Sequence, residues 1–467
     1  MTNRVIAQLR TLFVALFTIL LLRQLYVQLI AGPSYAAKSH NPRHALLSER
    51  RGRILASDGT VLAQTLHKHR VYPFGPQLAQ AVGYVSLRFG ASGIEAAYDS
   101  ALTPPDTTGD PISQAVEILQ SFTGQSTPAY GADVVTTLKM PIQTLLASEL
   151  AQHARGAGIV IDPRSGAVLA MASVPSFDPN TIEDTFPQLA HAENSPLVNR
   201  ATDGLYPPGS TFKIVTAADA LDSAAVTMDS TFEDPGYFVI GDYVVHDNEG
   251  EATGDLDLTG AFAQSSNVDF AQIALRLGAD RWYEYAQRWG LGTSLDFQLP
   301  AEVDRIPSRA QLYPGVLAQL GFGQANLLVT PLRMALVAST IANDGVTPRP
   351  FIVRTIARVA TSSSFGSAQL AQPISTETAR NVKKMMVAVV KDGTGTPAAL
   401  PNVTVAGKTG TATNPAGASH SWFVCFAPAE APRVAVAVIV ENAGYGAAVA
   451  APIARRVLRE ALVAVPT

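Results

Sequence analysis

Two β-rich stretches, held apart by a long run of helical pattern, constrain this chain more than anything else in its sequence. The first, Ala157 to Ser173 (AGIVIDPRSGAVLAMAS), has two apolar runs joined by Asp162-Pro163-Arg164-Ser165-Gly166, residues that favour a tight hairpin turn. The second lies near the C-terminus, where Thr404 to Ala406, Ser421 to Phe426 and Arg433 to Glu441 read as strands and Ala451 to Val465 as an amphipathic helix. A sheet buries its apolar face only against another layer. Strands at both ends with helices between them therefore imply an α+β domain whose terminal segments meet in one antiparallel sheet flanked by helices. No internal repeat at a fixed period runs through the chain.

A length of 467 residues leaves room for two or three domains. From Gly32 to Gly131, β-like pieces such as Arg53-Ile54-Leu55-Ala56 and Arg70-Val71-Tyr72 alternate with the turn signals Ser57-Asp58-Gly59 and Pro73-Phe74-Gly75. The Pro/Gly-rich stretches Thr103 to Asp110 and Thr123 to Gly131 bracket a short helical run from Pro111 to Phe122, which puts a boundary between about 131 and 155. The expected organisation is residues 1–31 as a cytoplasmic tip and membrane anchor, 32–150 as a small β-rich module with its linker, and 151–467 as the α+β domain.

The anchor rests on Thr11 to Leu22 (TLFVALFTILLL), an apolar run of 12 residues followed by Arg23 and the mostly apolar QLYVQLIAG. A spanning helix needs about 20 residues, and Arg10 or Arg23 extends the run if its charge snorkels to the interface. Three readings compete: a retained single-pass anchor, a cleaved signal peptide and a buried helix. The first leads, because Tyr35-Ala36-Ala37 is a poor cleavage site. Arg4 and Arg10 favour a cytoplasmic N-terminus, although Lys38, Arg43 and the Arg50 to Arg53 segment dilute the asymmetry. With the anchor retained, nearly all of the chain lies outside the cytoplasm.

Several function classes lack their signatures. The net charge is −4, and 26 of the 34 Lys and Arg residues are arginines scattered along the chain, so no basic stripe points to nucleic acid. A single cysteine, Cys425, excludes a disulfide framework and Cys-rich zinc or iron-sulfur sites. The zinc-protease, dinucleotide and P-loop motifs are absent as well.

Three short motifs carry the chemistry. In Tyr206-Pro207-Pro208-Gly209-Ser210-Thr211-Phe212-Lys213, prolines and a glycine precede a helix, placing Ser210 at its N-terminus with Lys213 one turn on, on the same face. A serine hydroxyl attacks a carbonyl only when a base takes its proton, and a neutral lysine is such a base. Alone, the pattern also fits a capping serine followed by an exposed lysine, yet of the chain's eight lysines only Lys213 has a serine three positions before it. Ser265-Ser266-Asn267 follows a helix starting near Leu258 and alone reads as a turn. Lys408-Thr409-Gly410-Thr411 lies on a strand-like stretch, where a glycine often marks the close approach of another backbone.

Together, Ser-x-x-Lys, Ser-x-Asn and Lys-Thr-Gly in that order supply the parts of one acyl-transfer site. The chain resembles the class B penicillin-binding proteins, the monofunctional peptidoglycan transpeptidases, and especially their compact PbpA type. The likeness extends to Arg51-Gly52-Arg53-Ile54, Asp58 to Ala63, Gly93 to Asp99, Thr136-Thr137-Leu138 with Gln143, and Asn199-Arg200-Ala201. Further on it includes Gly321-Phe322-Gly323-Gln324, Thr330-Pro331-Leu332 and His420-Ser421-Trp422-Phe423. It implies a penicillin-binding/serine β-lactamase-like transpeptidase fold on a small β-rich pedestal.

The resemblance also implies roles. Ser210 would attack the carbonyl between the two terminal D-alanines of a stem peptide, and Lys213, kept neutral by burial and by the charge of Lys408, would take its proton. Ser265 would relay a proton to the leaving amine, and Asn267 would orient Lys213 and the substrate amide. Lys408 would attract the substrate carboxylate, with the Thr409 and Thr411 hydroxyls bonding it. Gly410 would leave room for substrate to lie along the strand. The backbone N–H groups of Ser210 and Thr411 would form the oxyanion hole. No metal or organic cofactor is implied. The implied partners are stem peptides ending in D-Ala-D-Ala, β-lactams, and a membrane polymerase of the SEDS glycosyltransferase family.

Two departures stand out: Cys425 replaces a glycine common among relatives, and Ala56-Ser57-Asp58-Gly59 replaces an Asp-Arg-Asn-Gly turn. Cys425 reads as a small core residue and His420 as structural. In the same fold a D,D-carboxypeptidase or β-lactamase differs only in what deacylates the serine. The Glu-x-x-Leu-Asn segment of class A β-lactamases is absent. A penicillin-binding scaffold that activates a membrane glycosyltransferase is the non-catalytic alternative.

Overall fold

The computed structural model describes residues 2–26, 49–104, 130–247, 252–358, 362–414 and 417–465. The helical run expected over 111–122, most of its flanking linkers, and the start of the small module lie outside them.

Five strands build the main sheet: β1 (Gly156–Ile161), β2 (Val168–Val174), β3 (Ala406–Asn414), β4 (Gly417–Ala427) and β5 (Val434–Val440), in the order β3-β4-β5-β1-β2. Every neighbouring pair is antiparallel. The two ends of the domain meet where β5 pairs with β1, from Ala435 opposite Ile161 to Val440 opposite Gly156. The β1–β2 hairpin turns where expected: Asp162 Oδ1 accepts from Arg164 N at 2.9 Å, its Oδ2 accepts from Ser165 Oγ at 2.7 Å, and Gly166 takes φ +83°.

Helices cover both faces. Ile142, Leu146 and Leu150 of the helix Met140–Leu150 pack with Ile453 and Val457 of Ala450–Ala464 against Val160, Val436 and Val438. On the other face Pro331–Ala342, buried along its whole length, packs with Ile159, Ala437 and Ile439. This two-sided cover explains why β1 and β5 read as unbroken apolar runs instead of alternating ones. Cys425 lies fully buried in the first of these layers, and burial pushes its thiol up.

A second sheet, of six strands, runs Ser362–Ser364, Val353–Ala357, Asp133–Thr136, Ile54–Leu55, Val61–Leu66 and His69–Val71. Its first two strands come from beyond residue 350, so the small module is completed by chain from the far side of the boundary expected near 151. Local strand patterns do not name the partner of a strand, and Val353–Ala357 finds Asp133–Thr136 only in three dimensions. Beside this sheet Glu95, fully buried, receives Arg51 Nη2 at 2.7 Å and Arg70 Nε at 2.6 Å.

The N-terminal helix spans Thr2–Tyr26 without a break at Arg10 or Arg23. Its segment Ile6–Tyr26, 21 residues of mean hydropathy 1.7, is the one helix among the described residues long and apolar enough to cross a membrane, and its side chains are exposed.

Candidate active site

Pro207, Pro208 and Gly209 bring the chain into a 3-10 turn, Gly209–Phe212, which runs into the helix Lys213–Asp222. Ser210 therefore rides one turn ahead of the α-helix, while Lys213 starts it and is completely buried. The turn is clamped. Gly209 N donates to Gly323 O at 3.0 Å, Trp422 Nε1 donates to Pro207 O at 3.1 Å, and Thr211 Oγ1 donates to Pro208 O at 2.7 Å. Gly209 has φ +53°, and a Cβ there would stand 3.0 Å from Thr411 O, so the turn and β3 touch backbone to backbone.

The helix Leu258–Gln264 ends at Ser265, which takes the left-handed φ of +65°. Ser266 then caps the helix Asn267–Leu277, its side chain accepting from Asp269 N at 2.9 Å. The kink brings the second motif onto the first. Lys213 Nζ donates to Ser265 O at 2.6 Å, to Asn267 Oδ1 at 2.9 Å and, longer, to Ser265 Oγ at 3.3 Å. From β3, Lys408 Nζ donates to the same Ser265 Oγ at 2.8 Å.

Burial pulls the Lys213 ammonium down to about 7, against the carboxylates of Asp247, Asp269 and Asp234, which favour its charge. Lys408 falls well below the ordinary lysine value, through burial first and then the charge of Lys213. The sequence reading gave Lys408 a share in neutralising Lys213. Burial is the largest cause of the lowering of Lys213, three carboxylates oppose it, and the repulsion between the two lysines appears at Lys408.

Strand β3 is an edge of the main sheet. Gly410 does not keep a lane open for substrate as expected: a Cβ there would stand 2.8 Å from Thr211 Cγ2, 2.9 Å from Trp422 Cβ and 3.1 Å from Pro208 O, so the nucleophile turn fills that space. Thr409 Oγ1 pairs with Thr394 Oγ1 at 2.7 Å. Ser210, Asn267 and Thr411 open onto a cavity of about 630 Å³ whose wall is completed by Tyr243, His246 and Tyr445. Ser210 and Thr411, whose N–H groups the resemblance assigns to an oxyanion hole, thus face one space.

His420 is buried, accepts from Asn442 N at 3.2 Å through Nδ1 and meets the Tyr206 ring edge-on at 5.6 Å, which agrees with a structural reading. Sequence reasoning missed Asp234, Asp247, Asp269, Tyr243 and Tyr445. Only Asp269 lies within a few residues of a motif, and nothing local marks the rest as site residues. Among the described residues no group of His, Cys, Asp and Glu is arranged to hold a metal ion.

The family model of the penicillin binding protein transpeptidase domain matches residues 156–459, and that of the penicillin binding protein A dimerisation domain matches residues 51–133. The chain is similar to the peptidoglycan D,D-transpeptidase PbpA of Mycolicibacterium smegmatis, 33% identical over 96% of this chain and 96% of that protein. It is also similar to the peptidoglycan D,D-transpeptidase MrdA of Haemophilus influenzae, 30% identical over 91% of this chain and 70% of that protein. Among solved structures, a ceftriaxone acyl-enzyme complex of penicillin-binding protein A from M. tuberculosis superposes with a TM-score of 0.81 at 31% identity, covering 90% of this chain and 100% of that one. A D,D-transpeptidase domain from Eggerthella lenta gives 0.80 at 36% identity, over 88% and 98%.

Proposed function

The chain belongs to the penicillin-binding protein transpeptidase family, and from that premise we propose how its own residues perform the activity. It is a peptidoglycan D,D-transpeptidase: it cross-links stem peptides through a serine acyl-enzyme, and β-lactams acylate the same serine. The observation that carries the assignment of residues is the continuous line of hydrogen bonds from Lys213 through Ser265 to Lys408, with Asn267 joining it to the cavity that Ser210 lines.

Ser210 Oγ attacks the carbonyl between the terminal D-alanines while its proton passes to neutral Lys213, a base whose value near 7 suits neutral pH. The backbone N–H groups of Ser210 and Thr411 hold the oxyanion, each such donor contributing about 3 to 4 kcal/mol. The C–N bond breaks as a proton from Lys213, relayed by Ser265, reaches the departing amine. Lys408 gains charge when the substrate carboxylate arrives, with Thr411 and, once released from Thr394, Thr409 bonding it. An amine of a neighbouring strand then attacks the ester and frees Ser210.

The same reading gives the domain scheme: residues 1–31 a single-pass anchor, 32–150 a pedestal, and 151–467 an extracytoplasmic catalytic domain. The apolar helix Ile6–Tyr26 supports the anchor. A SEDS-family polymerase is the membrane partner in this scheme.

Intact-mass spectrometry of the detergent-solubilised chain after benzylpenicillin, beside Ser210→Ala, tests the assignment. A single persistent adduct lost in the variant is the expected result. No adduct with the drug intact overturns catalysis in favour of a scaffold, and no adduct with the drug consumed makes the protein a β-lactamase.

A further inference from the structure

The turn that presents Ser265 and Asn267 to Lys213 is gripped by a part of the chain that contains none of the three motifs. Two strands, Tyr237–Ile240 and Tyr243–His246, pair as a hairpin, and Asp247 follows directly. Asp247 Oδ1 accepts from the backbone N–H groups of Asn267 and of Val268, the latter at 3.1 Å. These are the first two N–H groups of an 11-residue helix, which have no partner within it and carry the positive end of its dipole. His246 O accepts from Asn267 Nδ2 at 3.2 Å, leaving Asn267 Oδ1 to Lys213 Nζ. Asp234 holds the preceding residue: it accepts from Ser266 Oγ at 2.9 Å, Thr253 Oγ1 at 2.7 Å and Gly236 N at 2.7 Å. The same hairpin walls the cavity with Tyr243 and His246.

We propose that Asp247 is a positioning residue for acylation, fixing Asn267 against Lys213 and setting a negative charge beside that lysine, so that the seating of the hairpin governs the base. The inference rests on the serine acyl-transfer reading given above. Asp247 is only 8% exposed, and its carboxyl faces that of Asp234, with which it forms a hydrogen bond when one of the two is protonated. The ionisable groups acting on Lys213 are Asp247, Asp269 and Asp234, with Lys408 across Ser265. Those facing Asp247 are Asp234 and Lys213. Burial and then the hydrogen bond with Asp234 push Asp247 up to about 6, so it carries its charge above that value. While ionised it favours the protonated lysine. Burial alone would carry Lys213 further down and leave it a feeble base, and the carboxylate keeps its proton affinity close to neutrality, where a general base is most effective.

The test is the second-order rate of benzylpenicillin acylation of the full chain from pH 5 to 9, with Asp247→Asn, Asp247→Glu and the exposed control Asp280→Asn. Asparagine keeps an oxygen for the two N–H groups and removes only the charge. The midpoint of its rising limb should move about one unit to lower pH, as expected for losing an opposite charge nearby, and its plateau should fall about tenfold for the weaker base. Asp247→Glu restores the charge and should keep the wild-type midpoint, as should the control. An Asp247→Asn midpoint that does not move overturns the inference, whatever the plateau does. If Asp247→Asn does not melt cooperatively, Asp247→Ser, which also keeps an oxygen for the N–H groups and removes the charge, decides: a midpoint moved to lower pH supports the inference and an unmoved one overturns it. A wild-type chain that takes no adduct at any pH overturns the acyl-transfer reading and this inference together, whereas an acylated wild type beside an unmoved asparagine variant overturns this inference alone.

Discussion

Ser265 Oγ accepts a hydrogen bond from Lys408 Nζ at 2.8 Å. The same oxygen receives Lys213 Nζ at 3.3 Å, so one hydroxyl lies between two buried lysines drawn from different parts of the chain. An oxygen that accepts twice points its own hydrogen away from both donors, where a departing amine can use it. Ser265→Ala removes this relay. Lys213 keeps the residue 265 carbonyl and Asn267, but Lys408 is left with only Thr409 O at 3.4 Å. The acylation rate should fall about 10²- to 10⁴-fold while the melt stays cooperative, and a rate within about threefold of wild type would remove Ser265 from the mechanism.

The pH dependence follows from Lys213, pulled down to about 7 by burial against three carboxylates. Only the neutral amine takes the Ser210 proton. Acylation should therefore be slow below the lysine's value, rise through about pH 7 and level off above it. Lys213→Arg places a guanidinium that stays protonated at every accessible pH, and its profile should be flat and near zero up to pH 9. A variant that still shows a rising limb near 7 would assign that limb to another group.

Much of this site was legible as three motifs because each carries its own local geometry. Pro207-Pro208-Gly209 announces a turn into a helix, Ser265-Ser266-Asn267 a helix end or turn, and Lys408 to Thr411 a strand. The main sheet was legible for a similar reason: β1 and β5 are buried on both faces, and their apolar runs are unbroken. What escaped was pairing at a distance. Asp247 reaches Asn267 across twenty residues, and Val353–Ala357 reaches Asp133–Thr136 across more than two hundred, with no local pattern to tie either pair. The role of Gly410 also escaped, since a sequence shows that a side chain is missing but not which neighbour fills the gap.

Asp269 is fully buried, and neither carboxyl oxygen has a partner. Burial, then Asp234 and Asp247, push it up to about 7 from 3.8. Between those two values the unfolded chain ionises this carboxyl and the folded chain does not, so its contribution to stability is full at low pH and lost as pH rises through the folded value. Asp269→Asn removes that loss. Its melting temperature should gain on wild type as pH rises from about 4 to about 7 and hold the gain above, whereas a constant difference across that window would mean that Asp269 is ionised throughout.

Gly410→Ala tests the contact between the nucleophile turn and β3. The added methyl meets Thr211 Cγ2 at 2.8 Å and Pro208 O at 3.1 Å, and backbone on one side leaves no rotamer to absorb it. Overpacking of this kind costs about 1 to 3 kcal/mol. It also pushes Ser210 away from Thr411, so acylation should fall further than the loss of stability explains. Unchanged acylation with a lowered melting temperature would confine Gly410 to packing.

Glu95 tests whether the small module is held by charge. Its two oxygens serve two buried arginines, Arg51 Nη2 at 2.7 Å and Arg70 Nε at 2.6 Å, while Arg51 Nη1 reaches Asp99 at 2.7 Å. Arg70 Nη1 ties the cluster to Gly52 O at 2.9 Å, beside the point where residue 52 passes Ala132 too closely for any Cβ. Replacing both members of a buried ion pair by apolar groups is often neutral, but removing one leaves the other charged and dry, at a cost of about 3 to 5 kcal/mol. Glu95→Ala leaves buried Arg70 without a carboxylate, holding only Gly52 O and Thr65 Oγ1, and leaves Arg51 with Asp99 as its one carboxylate, so urea unfolding should shift by an amount in that range. The site is built from other elements, and the folded fraction should still be acylated at the wild-type rate. Loss of acylation at full folding would show that the small module transmits its order to the catalytic cavity.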